Sequence, residues 1–193
     1  MGAKREKQMR RLAAIMVLTL AGVSCSENRQ ETIDLSANPE TFPTLKTFDV
    51  ESYVSDSTYT RYHITARQWL IFDEAAEPRW VFPTGIYAVR FDNDMNENGS
   101  FTADSATYMS AKRLWRFDRN VRMLNVNGDK FLTQQLFWDQ TQNKIYSDSF
   151  IHIERSDRIL EGVGFESNQE ATEYTIHRPT GIFPTSMFSA AGR

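Results

Sequence analysis

"FLTQQLFWDQTQNKIYSD", Phe131 to Asp148, sets two strand-length runs of apolar and aromatic residues among Thr, Gln, Asp and Asn. Alternation predicts a β-hairpin with its turn near Gln140 to Lys144. Leu132, Leu136 and Trp138 then share one face, and Thr133, Gln135, Phe137 and Asp139 the other. Upstream, "TYTRYHITA" puts Tyr62, Ile64 and Ala66 on one face, and "IYAVRF" does the same for Tyr87, Val89 and Phe91. Trp115 pairs with Phe117 in "LWRF", and "VRMLNV" slips phase between Met123 and Leu124, as a β-bulge would. "ILEGVGF" and "EYTIH" continue the series. With no sustained 3.6-residue period, the pattern predicts an all-β domain; Ser105 to Leu114 is the one stretch compatible with a short helix.

Turn chemistry agrees. Asn127-Gly128 and Asn98-Gly99 both carry the positive-φ tolerance that a two-residue hairpin turn needs. All six prolines lie outside 84–178, so the inner strands keep their ladder donors. A faint repeat links "TARQWL" at Thr65, "TADSATY" at Thr102 and "TQQLFW" at Thr133, as one hairpin-like unit stacked several times would.

At 193 residues the chain accommodates one ordinary domain plus an N-terminal address. Lys4, Arg5, Lys7, Arg10 and Arg11 precede the apolar run Leu12 to Val23. As a helix, 12 residues cover only about 18 Å of a hydrocarbon core about 30 Å thick, which fits a signal peptide better than a membrane span. "GVSC" then places small residues before the single cysteine, Cys25, and resembles the cleavage box of bacterial lipoproteins, with Gly22 where Leu is commoner. The expected organisation is a signal peptide over 1–24, lipidated Cys25 and a polar tether over 25–43, the folded domain over 44–186, and a disordered tail over 187–193. One cysteine excludes an intramolecular disulfide framework. Residues 1–24 hold five of the 22 basic and one of the 25 acidic residues, leaving 17 against 24 and a balance of −7. That balance supplies no footprint for nucleic acid, and membrane attachment falls to the lipid on Cys25.

Residues that could carry chemistry are scattered. "DNDMNENG", Asp92 to Gly99, starts like a calcium loop, but Glu97 replaces the required glycine and Ala103 the closing acid, so a solvated hairpin loop is expected. His63, His152 and His177 have no zinc-ligand spacing and read as outward strand positions. No nucleophile elbow, phosphate-binding glycine loop or singled-out carboxylate pair is present, and no cofactor or metal is implied. Gly162 and Gly164 alternate in "EGVGF", which in a strand permits a bulge or the close approach of another backbone.

From about Asp49 to Phe165 the chain resembles the LptC family of lipopolysaccharide export. The resemblance rests on "RYHITARQWLIF", "PRWVFPTGIYAVRFD", "FTADSATY", "LWRFDRNVRML", "FLTQQLFWDQTQNKIYSD" and "RILEGVGF" in that order. It implies an open, twisted β-jellyroll of two antiparallel sheets with an apolar groove between them. It also implies a non-enzymatic role: accepting lipopolysaccharide from an inner-membrane ABC transporter and passing it to a periplasmic bridge protein of the LptA type. The lipoprotein signal departs from the family's usual uncleaved helix; the expected location is periplasmic, anchored by lipid, with the inner membrane favoured over the outer. Tyr62, Ile64, Ala66, Trp80, Val81, Tyr87, Val89, Phe101, Leu136, Trp138 and Ile151 are the expected interior residues, lining groove or core. The stretch from Gly162, Gly164 and Phe165 onward is the expected edge for the next protein, and Asp49 to Ala66 the edge for the transporter. Two other readings stay open: a glycan-binding β-sandwich lipoprotein with aromatics on its loops, and a lipoprotein hydrolase.

Overall fold

The structure is a computed structural model and describes residues 38–55 and 59–184. The expected signal peptide, Cys25, most of the tether and the tail lie outside these residues. Among the described residues the protein is all β, with one short 3₁₀ turn, Ser110–Lys112. The strands are β1 (Leu45–Ser55), β2 (Thr60–Phe72), β3 (Arg79–Phe82), β4 (Ile86–Phe91), β5 (Glu97–Ala103), β6 (Ser105–Met109), β7 (Leu114–Leu124), β8 (Lys130–Asp139), β9 (Lys144–Glu154), β10 (Arg158–Asn168) and β11 (Tyr174–Pro184). All pairings are antiparallel. β3 and β4 are two pieces of one strand, as are β5 and β6, because β3 pairs β6 while β4 pairs β5. Between them they join β2 to β7, so the whole sheet is an up-and-down meander with β1 and β11 at its edges.

A line of irregularities crosses this meander. Asp49 in β1 has φ 49 and interrupts the ladder opposite Arg67. Pro83 to Gly85, with φ 104 at Gly85, separates β3 from β4, and Asp104 separates β5 from β6. In β7, Arg119 and Asn120 have φ 62 and 47, and the ladder to β8 slips between Asp118 and Val121. The β8–β9 ladder slips between Thr133 and Phe137, and the β9–β10 ladder between Val163 and Phe165 around Gly164, φ 81. Each bulge bends its strand, and in register they crease the sheet into two layers whose inner faces meet. Rings from opposite sides of the crease touch: Tyr62 with Trp138 at 5.4 Å, Phe101 with Phe117 at 5.7 Å and Phe131 with Phe165 at 5.5 Å between centroids.

The crease explains the mixed polarity of Phe131 to Asp148. Phe131 and Thr133 face inward on one side of it, and Leu136 and Trp138 on the other, because β8 crosses the crease with one residue fewer than β7 and β9, which switches its inward parity from odd to even. Leu132, expected beside Leu136, is therefore on the outer face. The buried hydroxyls are structural. Thr133 Oγ1 donates to the Phe150 carbonyl at 2.8 Å, and Ser147 Oγ donates to the Gln135 carbonyl at 2.6 Å. These carbonyls stand where the ladder slips, so the two side chains satisfy acceptors in the interior. Of the repeated threonines only Thr133 is buried; Thr65 and Thr102 lie on the outer face, so the three share a position just before the crease and not a bonding role.

Several local expectations are corrected. β7 has no slip at Met123/Leu124; Val121 and Met123 both face inward, and the bulge lies earlier, at Arg119 and Asn120. Ser105 to Met109 is strand β6, held between β3 and β7. Asn98-Gly99 lies inside β5, where a Cβ on Gly99 would come 2.9 Å from the Leu124 carbonyl; the turn is at Asp92 to Asn96. At Asn127-Gly128 only the glycine has positive φ, and the loop is organised by buried Asn125, whose Oδ1 accepts from the amides of Asn127 and Asp129. The tether reading extended to residue 43, but Glu40 accepts from the Ala76 amide at 2.6 Å and pairs with Arg79, tying 38–43 to the domain.

The densest packing joins Phe131, Leu136, Ile145, Ile151, Ile153 and Phe165, each at most 1% exposed. Burying each such side chain contributes about 1.5–3 kcal/mol.

Two predictions follow from these contacts. Thr133→Val should cost about 1–3 kcal/mol in urea unfolding by stranding the Phe150 carbonyl, whereas Gln134→Ala on the surface should stay within about 0.5 kcal/mol. The Ala76 amide, then Arg79, hold the exposed Glu40 carboxyl below its ordinary value of 4.5. A depressed folded-state pKa stabilises above the unfolded value and ceases to as pH falls through the folded one. The melting temperature of Glu40→Gln should therefore lie slightly below wild type at about pH 6 and converge with it as pH falls through and below the folded-state value.

Candidate functional site

At the β1–β7 end the two layers do not close. An apolar cleft of about 260 Å³ remains. One layer supplies Val54, Tyr62, Ile64, Ile86, Ala88 and Phe101; the other supplies Trp80, Tyr108, Trp115, Phe117, Trp138 and Gln140. Small residues make the space: Ala66, Ala88, Ala103 and Ala106 face inward at this end, where the β8–β10 end carries Phe131, Ile151 and Ile153. Trp138 forms the floor, stacked on Phe101 at 6.3 Å and tilted against Tyr62. Tyr108 packs on Trp80 and Trp115 and donates from its hydroxyl to Gln140 Oε1 at 3.3 Å. The volume sits just below the roughly 300–1,000 Å³ of small-ligand pockets. It suits one apolar chain, with the rest of a larger molecule outside.

The lining is apolar and largely aromatic. Burial pushes the Tyr62 hydroxyl above its ordinary pKa, against the opposing pull of Arg90 and Arg61. The indole N–H groups of Trp69 and Trp138 are buried and unpartnered. The titratable groups that could serve as acids or bases stand elsewhere. His63 stacks on Tyr53 and meets Glu51 at 3.0 Å; His152 lies between Glu161 and Glu154; His177 is half exposed beside Glu166. Among the described residues no cluster of His, Cys, Asp or Glu could hold a metal ion. Asp92, the start of the calcium-like stretch, accepts from the Asp94 and Asn96 amides of its own hairpin loop.

Of the eleven expected interior residues, Tyr62, Ile64, Trp80, Phe101 and Trp138 line the cleft. Ala66, Leu136 and Ile151 belong to the core beside it, and Val89 is buried outside that core cluster. Val81 and Tyr87 are misassigned. Trp80 and Phe82 take the inward positions of β3, and Ile86 and Ala88 those of β4, which leaves Val81 on the outer face and Tyr87 41% exposed. Gly162, Gly164 and Phe165 are not at an edge, since β10 pairs with β9 and β11 alike and Phe165 is core. A Cβ on Gly162 would come 2.6 Å from the Arg178 carbonyl, so its role is the close approach of β11. The expected transporter edge is half right in place: β1 is an edge strand, while β2 is paired on both sides. Ile86, Ala88, Tyr108, Trp115 and Phe117 were missed as cleft residues, although the Trp115–Phe117 alternation was visible.

Fold and site together define a two-layer antiparallel β protein with an apolar interlayer cleft. In comparison with known proteins, the chain matches no protein-family model and no curated sequence. No helix of the described residues is long and apolar enough to cross a membrane.

Ala88 lies on the cleft wall between Ile64 and Phe101 in the ladder. Ala88→Leu should abolish the fluorescence enhancement of an uncharged naphthylamine dye titrated into the protein, while Tyr87→Leu on the opposite face leaves it unchanged.

Proposed function

We propose that the protein is a non-enzymatic carrier of acylated lipid, and specifically a lipopolysaccharide-transfer component of the LptC type. In this role it receives lipopolysaccharide from an inner-membrane ABC transporter and passes it to a periplasmic jellyroll of the LptA type. The observation that carries the reading is the aromatic-lined cleft between the layers. Each CH₂ group moved from water into such a lining gains about 0.8 kcal/mol. A small, shallow site binds a chain and releases it again, which suits transfer. The open edges support the same reading: among the described residues β1 pairs only with β2 and β11 only with β10, and β1 exposes Phe48, Tyr53 and Val54. Free edges of this kind accept strands from other proteins. The glycan-binding alternative asks for aromatics on loops; of the exposed aromatics among the described residues, Phe42 and Tyr59 stand outside strands, whereas Phe48, Tyr53, Tyr87, Phe150 and Phe183 stand on them. Anchoring through lipidated Cys25 on the periplasmic side belongs to the same proposal.

The test is site-specific photo-crosslinking in cells exporting lipopolysaccharide. A photoreactive residue at Trp80 or Tyr62 should capture lipopolysaccharide, and one at Leu136 or Ile151, sealed in the core, should not. No lipid adduct at either cleft position would sink the proposal.

A further inference from the structure

Tyr62 is a wall between two spaces. One is the apolar cleft; the other is a polar pocket of about 470 Å³ lined by Arg61, Arg90, Asp92, Asn98 and Glu170 among others. Arg90 follows Ile86 and Ala88 on the inward parity of β4 and pairs with Tyr62 in the ladder, so a cation stands where the apolar wall ends. Its side chain is 13% exposed. The guanidinium donates to Asn98 Oδ1 at 2.8 Å, to the Asn98 carbonyl at 3.1 Å and to the Gln169 carbonyl at 3.4 Å, all neutral acceptors. Glu170, the carboxylate paired with it, stands 4.0 Å away and is 56% exposed. A mostly buried charge with neutral partners favours any anion that reaches it.

Four charged side chains face the pocket, Arg61 and Arg90 against Asp92 and Glu170. Arg61 donates to Asn93 Oδ1 at 2.7 Å and lies over the Tyr59 ring. The Asp92 carboxylate accepts from the Asp94 and Asn96 amides and the Asn96 side chain, which keep it ionised and turned to its own loop. The opposite end of the cleft is closed by the neutral Tyr108–Gln140 pair. One end of the cleft is therefore bordered by charged side chains around the mostly buried Arg90, and the other by a neutral pair.

We infer that the Arg61–Arg90 pocket is the head-group end of the cleft. Its ligand is an amphiphile with an anionic head, phosphate or carboxylate, whose chain lies against Tyr62, Phe101 and Trp138. The inference rests on the carrier reading for the chain and adds the charge of the head and the direction in which the molecule lies.

Isothermal titration calorimetry of the full-length chain tests it with three probes: dodecyl phosphate, dodecyl maltoside and inorganic phosphate. Wild type should bind dodecyl phosphate about tenfold or more tighter than the maltoside, as one or two charge-assisted hydrogen bonds imply. The preference should shrink with added salt. Arg61→Gln and, with its fold checked by circular dichroism, Arg90→Gln should lose the preference and keep maltoside affinity. Should Arg90→Gln fail to fold, Arg61→Gln alone decides. Equal affinity for the two amphiphiles in wild type, or a preference that survives both substitutions, would overturn the inference and leave Arg90 a strut between β4 and the β10–β11 turn, with the carrier reading intact. Arginine-dependent binding of inorganic phosphate alone, as tight as that of dodecyl phosphate, would also overturn it, making the pocket a free-anion site. Failure of both amphiphiles to bind would overturn the inference and the carrier reading together.

Discussion

The crease across the meander is the constraint on which the rest depends. Up-and-down pairing alone gives a single sheet with one apolar face and nowhere to bury it. Bulges on successive strands, kept in register by the ladders between them, let that sheet cover itself. The cost is a row of backbone groups that lose their ladder partners inside the fold. The chain meets it with buried hydroxyls at β8–β9, where Thr133 and Ser147 donate to the carbonyls of Phe150 and Gln135. Elsewhere backbone conformation meets it: positive φ at Asp49, Arg119, Asn120 and Gly164, and a strand break at Pro83 to Gly85.

Once the sheet is creased, side-chain size decides where it closes. At the β8–β10 end Phe131, Phe165 and Tyr174 meet ring to ring, and isoleucines fill the remainder. Asn125 reinforces this end by donating to the Ala171 carbonyl at 2.9 Å, joining the β7–β8 turn to the β10–β11 turn. At the β2–β7 end inward alanines face large rings that prop the layers apart, and the gap is the cleft. The same crease thus makes a rigid, filled half and an unfilled half, and unfilled apolar surface forfeits dispersion contacts that a ligand can restore.

The fold class was legible because most strands alternate cleanly over stretches of four or five residues. What alternation could not supply was continuity across the crease: β8 crosses it with one residue fewer than its neighbours, which reverses its inward parity, and nothing local in Gln134-Gln135 announces it. Leu132 was misplaced for that reason. β4 was misread for another. Its inward face is Ile86, Ala88 and Arg90, and an inward arginine disguises that face as the polar one, which promoted Tyr87 in its place. Edge position was illegible at Gly162 and Gly164, since glycines that admit a neighbouring backbone look the same whether the neighbour is β11 of this chain or a strand from elsewhere. The Thr repeat carried the most hidden information, marking where strands approach the crease.

β1 ties the cleft to the outside. Val54 lines the cleft yet is 42% exposed, because β1 is at once a wall of the cleft and the border of the sheet. On one side it is held by the β2 ladder, by the stack of Tyr53 on His63 at 4.4 Å and by the Glu51–His63 contact; among the described residues its other side has no strand. A strand added there would extend the sheet that carries Val54 and lengthen the apolar wall with its own inward residues. The cleft's wall on this side ends at β1, so on the carrier reading edge pairing and chain binding would be one structural event: whatever continues the sheet also continues the apolar wall.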